Sequence, residues 1–378
     1  MPAAIQFNMR IGFDAKRVFH NRSGLGNYSR DTVRVLGKYF PGNRYYLYNP
    51  KKGKINFDAG SSSKTIFPAG FINKIFSSLW RRKWITKQLQ QDKLDIFHGL
   101  SNELPSGIAN TGIKSVVTIH DLIFYKFPQW YRPADRLIHQ QKSKQAALDA
   151  THIIAISEQT KKDILEYLPV NSEKVSVLYQ GCHAAFKEQH SAGEKQQLVT
   201  KFNLPSQFLL SVGTIEPRKN LLTTVNSLLH HSLPLVIVGK KTAYFKEIET
   251  FIAKHKLENR VIHLADISMK ELAMLYQLAF VFCYPSIYEG FGIPIIEALY
   301  SGTPVITNKE GCFKEAGGPG SFYIDHLDFE AMASIIIRLQ NDDSLYKNCV
   351  EQGGEYATRF NDEVIAENMM NAYKKLLQ

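Results

Sequence analysis

Cysteine is scarce in this sequence: there are four among 378 residues, and no Cys-x-x-Cys pair occurs. Cys182, Cys283, Cys312 and Cys349 stand alone, at spacings that fit neither a disulfide framework nor zinc ligation. This usage is typical of a reducing compartment. Cys283 lies in an apolar run and is expected to be a small core residue.

Long apolar segments are also missing. No window of 18 residues is uninterruptedly apolar, so no transmembrane helix is expected. The first residues lack the charged, apolar and small-residue regions of a signal peptide, and no repeat or low-complexity segment is present. These absences predict a cytoplasmic protein and leave open a peripheral position on the cytoplasmic face of the inner membrane.

The composition is ordinary, but the charge is unevenly distributed. With 44% hydrophobic and 21% charged residues, the chain as a whole is not a disordered, collagen-like or coiled-coil protein. Residues 1–200 carry 29 Lys+Arg against 15 Asp+Glu, and residues 201–378 carry 17 against 20, so the net charge of +11 arises in the first half. That half is expected to face nucleic acid, a membrane surface or a phosphorylated substrate.

Short, nearly continuous apolar runs alternate with amphipathic stretches, which is typical of parallel strands buried on both faces with helices between them. Two successive sets predict an α/β protein of two doubly wound, Rossmann-like domains. A polar stretch within 186–205 divides the chain into domains 1–188 and 189–361, and residues 362–378 predict a terminal amphipathic helix. The predicted strands are 9–15, 45–48, 96–98, 115–119, 153–156, 175–179, 208–212, 235–238, 261–264, 280–284, 304–307 and 321–324.

The residues that follow the strands are the candidate ligand contacts, because such sheets bind ligands beyond the carboxyl ends of their strands. Gly24-Leu25-Gly26 precedes a helical pattern, where backbone N–H groups can approach a phosphate, although a plain turn explains it equally well. His120 ends the strand at 115–119. It either contacts a phosphate or sugar, or is a hydrogen-bonded turn histidine.

A basic pair follows the first strand of the second domain. Gly213 and Thr214 lead into Glu216-Pro217-Arg218-Lys219-Asn220, which places two cations at a strand end. Cations there can neutralise charge on a diphosphate leaving group. Most surface basic pairs are merely solvated, but the neighbouring glycine and proline favour a functional role here.

The strongest signal is Ser286-x-x-Glu289-Gly290-Phe291-Gly292-x-Pro294-x-x-Glu297-Ala298. A buried strand leads into the Gly-Phe-Gly turn, and Pro294 marks the first turn of the next helix. The N–H groups of the turn are expected to form an anion nest. Glu289 and Glu297 can bind two distinct polyol groups, and a plain helix-forming role leaves Glu297 among apolar neighbours unexplained.

This motif resembles the hallmark of the retaining group 1 glycosyltransferases, glycosyltransferase family 4, which have the GT-B fold. The resemblance spans almost the whole chain, and within the family the sequence is most similar to O-antigen and capsule mannosyltransferases. Further landmarks occur in the family's order: Gly24-Leu25-Gly26, His120-Asp121, Ala155-Ile156-Ser157-Glu158, Glu216 to Asn220, and Gly302-Thr303-Pro304-Val305.

The resemblance implies that a nucleotide-diphospho-sugar lies in a central cleft between the two domains. Glu297 would bind the ribose hydroxyls, Glu289 the hydroxyls of the transferred sugar, and His120 its C6 hydroxyl. Arg218 and Lys219 would stabilise the departing diphosphate. Thr214 stands where many members have arginine, so Arg218 is expected to supply that charge, and Lys219 is the stronger candidate. The backbone contacts to the donor would come from Gly24, Gly26, Gly213, Thr214, Gly290, Phe291 and Gly292.

The implied reaction is transfer with retention through an oxocarbenium-like, same-face pathway, in which neither glutamate is a covalent nucleophile. The chain lacks the Asp-x-Asp motif that holds the metal in GT-A transferases, so neither a metal nor a cofactor is expected. GDP-mannose is the first expected donor, ahead of UDP-sugars, and the acceptor is a saccharide, lipid-linked in surface polysaccharide assembly. The terminal helix would pack back on the N-terminal domain.

The basic half contains a candidate membrane or acceptor patch. Ten Lys/Arg and two acidic residues lie within 51–93, and Phe71–Trp84 predicts one amphipathic helix. Such a helix either lies on an anionic membrane or packs its apolar face on its own sheet. The patch comprises Lys74, Trp80, Arg81, Arg82, Lys83 and Trp84.

A basic nucleic-acid-binding protein is the competing hypothesis. It is weakened by the absence of an aromatic RNA-binding signature, a zinc site or a clear helix-turn-helix. An inactive member of the family is disfavoured because His120, Lys219, Glu289 and Glu297 are all present.

Overall fold

The structure, a computed structural model, describes residues 8–22 and 24–378 and divides into two compact units. The N-terminal domain comprises the described residues up to Gly181 together with Phe360–Gln378, and the C-terminal domain comprises Cys182–Arg359. The border expected at 188/189 lies slightly beyond the one in the structure.

The N-terminal domain is built on a parallel sheet that has seven strands within the described residues. The strand order is β3-β2-β1-β4-β5-β6-β7, so the direction of winding reverses between β1 and β4. The strands are β1 (Arg10–Asp14), β2 (Arg44–Tyr48), β3 (Ser63–Ile66), β4 (Ile96–Gly99), β5 (Lys114–Ile119), β6 (His152–Ala155) and β7 (Val175–Val177).

One strand, β3, has no counterpart among the predicted strands. Its sequence, Ser-Lys-Thr-Ile, is short and mostly polar, and its residues are only partly buried or exposed. β3 lies at the edge of the sheet and pairs on one side only. An edge strand does not need the continuous apolar run of a central strand, so the pattern used for the other strands does not find it.

The C-terminal domain is built on a second parallel sheet, whose six strands all coincide with predicted runs. The order is β10-β9-β8-β11-β12-β13, and the winding reverses between β8 and β11. The strands are β8 (Leu209–Val212), β9 (Leu235–Val238), β10 (Val261–Leu264), β11 (Val281–Tyr284), β12 (Val305–Asn308) and β13 (Phe322–Ile324).

Helices connect the strands, as parallel pairing requires. Among the described residues, none of them combines the length and apolarity that crossing a membrane would take. Those of the N-terminal domain are α1 (Lys16–His20), α2 (Gly24–Tyr39), α3 (Phe71–Ile75), α4 (Ser77–Leu79), α5 (Ile85–Gln91), α6 (Ile123–Lys126), α7 (Pro133–Asp149), α8 (Glu158–Tyr167) and the terminal α17 (Asp362–Leu377). Those of the C-terminal domain are α9 (Ala192–Phe202), α10 (Leu221–Ser227), α11 (Phe245–Lys254), α12 (Met269–Leu278), α13 (Ile293–Tyr300), α14 (Phe313–Gly317), α15 (Phe329–Asn341) and α16 (Asp343–Ala357).

The terminal helix α17 is part of the N-terminal domain. It packs against α2, and its Met370 and Tyr373 are fully buried in the core that contains Ile11 and Phe13 of β1. Burying apolar side chains of this size stabilises a fold by about 1.5–3 kcal/mol each. The helix is therefore a structural part of this domain.

The segment Phe71–Trp84 is not the single amphipathic helix that the sequence pattern predicted. α3 ends at Ile75, and the ψ of 43° at the next residue, Phe76, is not helical. α4 and a π-helical turn (Trp80–Trp84) follow before α5. The change of helix type rotates side chains relative to a regular α-helix. The apolar face predicted for Phe71–Trp84 is therefore not continuous.

Candidate active site

The loops after β8 and β11 leave the C-terminal sheet side by side. The two strands pair directly, with Leu209 opposite Val281, and they flank the point where the winding reverses. Residues 213–220 and 285–292 therefore follow adjacent strand ends. This position is where doubly wound sheets bind ligands.

Glu289 is the centre of an ionic cluster at this edge. Its Oε2 lies 2.6 Å from Nη1 of Arg218, and its Oε1 lies 2.5 Å from Nζ of Lys219. The cations come from the loop after β8 and the carboxylate from the loop after β11. The structure thus brings three of the four predicted catalytic residues into direct contact.

Two hydroxyl groups also donate to Oε1 of Glu289, from Ser286 at 2.6 Å and from Tyr284 at 3.0 Å. Burial by itself would raise the pKa of Glu289, but Lys219 and Arg218 outweigh it and lower the pKa to about 2. Glu289 is therefore ionised at neutral pH, with both oxygens engaged. Ser286 and Tyr284 were missed as functional residues, although Ser286 begins the motif and Tyr284 ends β11.

Arg218 ties the two loops together. Its guanidinium donates to the Tyr288 carbonyl at 2.8 Å and to Glu216 at 2.6 Å. Its own carbonyl accepts hydrogen bonds from the Ile287 amide at 2.8 Å and from Ser286 Oγ at 3.1 Å. Arg218 and Lys219 are thus balanced by Glu216 and Glu289, and the cluster has no net charge.

Thr214, at the position where the family pattern often has arginine, is exposed. Gly213, the residue before it, lies against the side chain of Lys219: a Cβ added there would be 3.6 Å from Lys219 Cε. Gly213 therefore lies next to the ionic cluster, against the Lys219 side chain, whereas Thr214 is exposed to solvent. Neither residue adds a charge, so the positive charge of this loop comes from Arg218 and Lys219.

The Gly-Phe-Gly turn leads directly into α13, as its sequence predicts. Gly292 precedes α13 with φ of 129°, a conformation that favours glycine, and Pro294 lies in the first turn of the helix. Phe291 is 2% exposed and anchors the turn in the core. Cys312 Sγ lies 2.7 Å from the Phe291 carbonyl oxygen and 3.3 Å from that of Glu289. This thiol contact was not predicted. The turn Gly290-Phe291-Gly292 thus connects Glu289 of the cluster to the start of α13.

Glu297 lies inside α13 and is 8% exposed. The hydroxyl of Tyr276 donates to its Oε2 at 3.2 Å. Burial and then the Glu297 charge raise the pKa of Tyr276 well above its usual value, so Tyr276 stays a donor. A buried carboxylate held by a donor is more than a helix-forming residue, and Tyr276 is a second residue that sequence reasoning missed.

His120 lies in the N-terminal domain at the end of β5. Its Nε2 lies 2.9 Å from the Leu100 carbonyl oxygen, and its amide donates to Asn102 Oδ1 at 3.0 Å. Burial lowers its pKa to about 4, despite the opposing contact with Leu100. A carbonyl oxygen only accepts, so Nε2 carries the proton and Nδ1 of the neutral ring is an acceptor. That is the form that can accept a hydrogen bond from a sugar hydroxyl.

A buried polar chain extends from the terminal helix towards His120. His98 Nδ1 lies 2.6 Å from the Tyr373 hydroxyl and Nε2 lies 2.8 Å from Thr118 Oγ1, which is 2.9 Å from the Tyr28 hydroxyl. The Tyr28 ring packs edge-on against the His120 ring, with 4.6 Å between centroids. Burial lowers the pKa of His98 to about 3. Burial therefore keeps both histidines neutral, and the two hydroxyl partners of His98 fix its ring.

These two histidines predict that the N-terminal domain loses stability in mild acid. The unfolded chain protonates them near pH 6.5 while the folded domain does not, so the free energy of unfolding falls as pH drops from about 7 towards 4, by at most about 1.4 kcal/mol per pH unit for each. Tryptophan fluorescence in urea at pH 7.5 and 5.5 measures this. All three tryptophans, Trp80, Trp84 and Trp130, belong to this domain.

The control for this prediction is His139→Gln, which removes an exposed histidine of α7 and should leave the pH dependence unchanged. His98→Asn should reduce the pH dependence. A free energy of unfolding that is constant between pH 7.5 and 5.5 would rule out neutral, buried histidines in this domain.

The Gly24-Leu25-Gly26 motif forms the first turn of α2 and not a loop before it. A Cβ on Gly26 would lie 1.9 Å from the Asn21 carbonyl oxygen, so no larger residue fits there without a shift of the backbone. Arg30 fixes this approach by donating to the same carbonyl at 2.8 Å. Gly24 meets nothing within 4 Å, so its position does not require glycine for packing.

Two residues of the predicted membrane patch point inward. Trp80 is 3% exposed, in a core cluster with Ile85 and Leu89. Arg81 binds Asp14 and Glu103, with Nη2 2.6 Å from a carboxylate oxygen of each. The π-helical turn carries both side chains towards the sheet, so their assignment to the patch was wrong. Among the other patch residues, Lys74, Arg82, Lys83 and Trp84 are exposed.

The predicted site residues therefore form separate groups. Arg218, Lys219 and Glu289 are in mutual contact, and Gly213, the Gly-Phe-Gly turn and Glu297 belong to the same domain. His120, Gly24, Gly26 and the patch belong to the N-terminal domain.

Comparison with known proteins identifies the two halves. Residues 194–356 match the family described as "Glycosyl transferases group 1", and residues 23–186 match "Glycosyltransferase Family 4". The chain is 26% identical to O-antigen chain mannosyltransferase B of Escherichia coli, over 97% of this chain and 100% of that protein. It is 29% identical to the O-antigen chain mannosyltransferase RfbU of Salmonella typhimurium, over 66% of this chain and 64% of that one.

The fold is also found among solved structures. A sucrose-phosphate synthase from Thermosynechococcus elongatus superposes with a TM-score of 0.76 at 20% identity, over 97% of this chain and 99% of that one. The two Rossmann-like sheets and the matches to both halves agree with the predicted GT-B fold and decide against a nucleic-acid-binding protein. The chain belongs to the group 1 glycosyltransferases of glycosyltransferase family 4 and is a glycosyltransferase.

Proposed function

We propose that this glycosyltransferase moves a mannosyl group from a nucleotide-diphospho-mannose, GDP-mannose first, to a saccharide acceptor in the assembly of O-antigen or a related surface polysaccharide. The observation that carries this proposal is the similarity to O-antigen chain mannosyltransferase B, which covers the full length of that protein. The similarity to RfbU supports the same substrate class.

The ionic cluster supports a diphosphate leaving group. Arg218 and Lys219 are held beside Glu289 by contacts of 2.6 and 2.5 Å, so both cations are preorganised at the strand ends. When the donor binds, its diphosphate would take over part of these contacts, and Glu289 would turn its oxygens to sugar hydroxyls. Such fixed charges stabilise the negative charge that develops as the glycosidic bond breaks.

The state of Glu289 supports a pathway without a covalent glycosyl-enzyme. Its pKa is lowered to about 2, and both oxygens are bound by cations or hydroxyls. A carboxylate whose oxygens are held by cations before the donor binds, and by sugar hydroxyls afterwards, is a poor nucleophile. Transfer with retention would then proceed on one face of the sugar, with the leaving phosphate assisting deprotonation of the acceptor.

The donor is tested by thermal unfolding of the native chain with a panel of GDP, UDP and ADP and their sugar derivatives. A ligand that binds the folded state raises the midpoint in proportion to its affinity and concentration. We expect GDP-mannose to give the largest shift. A larger shift with a UDP-sugar would assign a different donor to the same site, and the absence of any shift would contradict nucleotide-sugar binding.

We further propose that an exposed apolar surface in the N-terminal domain binds an anionic membrane carrying a lipid-linked acceptor. Phe71 is 79% exposed, Ile72 64%, Ile75 57% and Phe76 54%. These residues alternate with the exposed Lys74 in and beside α3. Aromatic and aliphatic side chains interleaved with cations are typical of an interfacial membrane binder.

The double substitution Phe71→Ser/Phe76→Ser is expected to weaken binding to phosphatidylglycerol vesicles by roughly tenfold or more, because burying each phenyl ring contributes about 1.5–3 kcal/mol. Flotation of the native chain and the variant measures the bound fraction. Leu327→Ser removes a side chain that is 64% exposed in the C-terminal domain and should have no effect. Equal flotation of all three proteins would disprove membrane binding by this surface.

A further inference from the structure

A cavity of about 410 Å³ opens on the N-terminal domain, and Arg82 is the one residue of the predicted patch among those that line it. One wall is the α7 face that carries Gln141, Gln145 and Leu148, which are spaced as neighbours along one side of a helix. The opposite wall contains Arg82 and Glu103. Glu103 follows β4, so the cavity adjoins the carboxyl edge of the sheet.

The walls are held in place by contacts beneath the cavity. The Ser106 amide donates to the Arg82 carbonyl at 2.8 Å, which joins the loop after β4 to the π-helical turn. Glu103 bridges to α7 through Lys142, with Nζ 2.8 Å from Oε1. Its other oxygen, Oε2, lies 2.6 Å from Nη2 of Arg81. The cavity is therefore preorganised in this domain.

Positive charge predominates in the cavity. Burial alone would raise the pKa of Glu103, but Arg81 and Lys142 outweigh it and lower the pKa to about 2, so Glu103 is ionised. Arg82, Lys142 and Lys144 all line the cavity. Among residues 8–22 and 24–378, no carboxylate lies within ion-pair distance of Arg82 or Lys144, so two cations are available to a ligand.

We infer that this cavity binds a phosphorylated saccharide, the phosphate lying against Arg82 and Lys144 and the sugar against Glu103, Gln141 and Gln145. Lysine and arginine bind phosphate through charge-assisted hydrogen bonds. Carboxylate and amide groups satisfy hydroxyls, and Leu148 offers an apolar contact to the C–H face of a sugar. Because a sugar adds contacts with Glu103, Gln141 and Gln145 that inorganic phosphate does not make, the site favours a sugar phosphate over inorganic phosphate.

The inference rests on the proposed function, in which the acceptor is lipid-linked. Arg82 belongs to the same π-helical turn as the exposed Trp84, which follows the apolar surface at Phe71–Phe76. The phosphate that joins a saccharide to a lipid lies at the headgroup level of a bilayer. In a chain whose apolar surface rests on that bilayer, Arg82 would therefore lie close to the headgroup level, two residues from Trp84.

A second, larger cavity in the same domain is less suitable. It is lined by Arg10, Arg44 and Lys64, which lie at the starts of β1, β2 and β3. It therefore lies at the amino edge of the sheet, whereas doubly wound sheets bind ligands at the carboxyl edge.

The test measures binding of glucose 1-phosphate, inorganic phosphate and methyl glucoside to the native full-length chain by titration calorimetry, with the donor site saturated by its nucleotide. Glucose 1-phosphate should bind more tightly than inorganic phosphate, and methyl glucoside should bind least. The double substitution Arg82→Gln/Lys144→Gln should weaken glucose 1-phosphate by roughly tenfold or more, since each charged hydrogen bond is lost. Its unchanged thermal midpoint would show that the variant folds.

Lys51→Gln/Lys52→Gln is the matched control, since it removes two exposed cations from the same basic region. Normal affinity in the Arg82/Lys144 variant, or an equal loss in the control, overturns the proposal. The Arg82/Lys144 variant should still float with phosphatidylglycerol vesicles. Loss of flotation with sugar-phosphate affinity intact would show that these cations bind lipid headgroups and would overturn the proposal as well.

The donor assignment and the cavity assignment are tested by different outcomes. If no sugar nucleotide is turned over but glucose 1-phosphate still binds through Arg82 and Lys144, the donor assignment fails and the cavity assignment stands. If a donor is turned over but the Arg82/Lys144 variant binds glucose 1-phosphate normally, only the cavity assignment fails.

Discussion

Replacement of Lys219 by methionine is expected to lower kcat for sugar transfer by about 10²–10³-fold, because the proposed function places this preorganised cation beside the leaving diphosphate. Methionine keeps an apolar stem beside Gly213, and Arg218 still holds Glu289 at 2.6 Å. The donor KM should change less than kcat, since the leaving group gains its negative charge as the bond breaks. Initial rates over a range of donor concentrations separate the two constants.

Lys241→Met is the matched control, because it removes a cation of the same domain that pairs with the exposed Glu249. Its kcat should equal that of the native chain. A native kcat in Lys219→Met, or the same loss in both variants, would exclude a specific role for Lys219 at the leaving group.

If Glu297 binds the ribose hydroxyls, as the family resemblance implies, Glu297→Ala should raise the donor KM by about tenfold to a hundredfold with a smaller effect on kcat, because charged hydrogen bonds contribute about 1.5–3 kcal/mol. Glu297 is 8% exposed, with Tyr276 donating to one oxygen at 3.2 Å. Steady-state kinetics with the native donor measure the change.

A donor that lacks the ribose 2′ and 3′ hydroxyls tests whether this loss is specific. If Glu297 binds those hydroxyls, the KM of the native chain should be higher for the deoxygenated donor, and Glu297→Ala should raise that KM little further. If Glu297→Ala raises the KM of both donors by the same factor, a ribose contact is contradicted. The substitution would then act through the packing of α13.

The alternation of apolar runs was sufficient to predict both sheets and twelve of their strands. Central parallel strands are buried on both faces, so their sequences must be nearly continuous in apolar residues. Ser63–Ile66 was missed because an edge strand is exempt from that requirement. Apolar runs therefore predict the strands that are buried on both faces and miss an edge strand that is partly exposed.

The sequence predicted which residues form the candidate site but not which of them form ion pairs with one another. Strand ends placed Arg218, Lys219 and Glu289 at one edge, but a single sequence does not reveal that both cations bind the same carboxylate. The contributions of Tyr276 and Cys312 depend on elements that meet only in the folded domain. Periodicity carries no information about such tertiary contacts.

Helix type explains the error in the patch. A regular 3.6-residue period predicts Trp80 on the apolar face of the helix and Arg81 largely off that face, but the π-helical turn at Trp80–Trp84 changes that period. Arg81 instead neutralises Asp14 and Glu103. The basic excess of the first half is thus divided between internal ion pairs, an exposed apolar surface with cations, and a cationic cavity.

The most direct test of the proposed reaction is proton NMR of the product formed from GDP-mannose, whose mannosyl group has the α configuration, and a lipid-linked saccharide acceptor. Retaining transfer predicts a new α-mannosyl signal that appears as GDP is released. A β-mannosyl product, or the absence of transfer from GDP-mannose under conditions in which another sugar nucleotide is consumed, would contradict the assignment of a retaining mannosyltransferase.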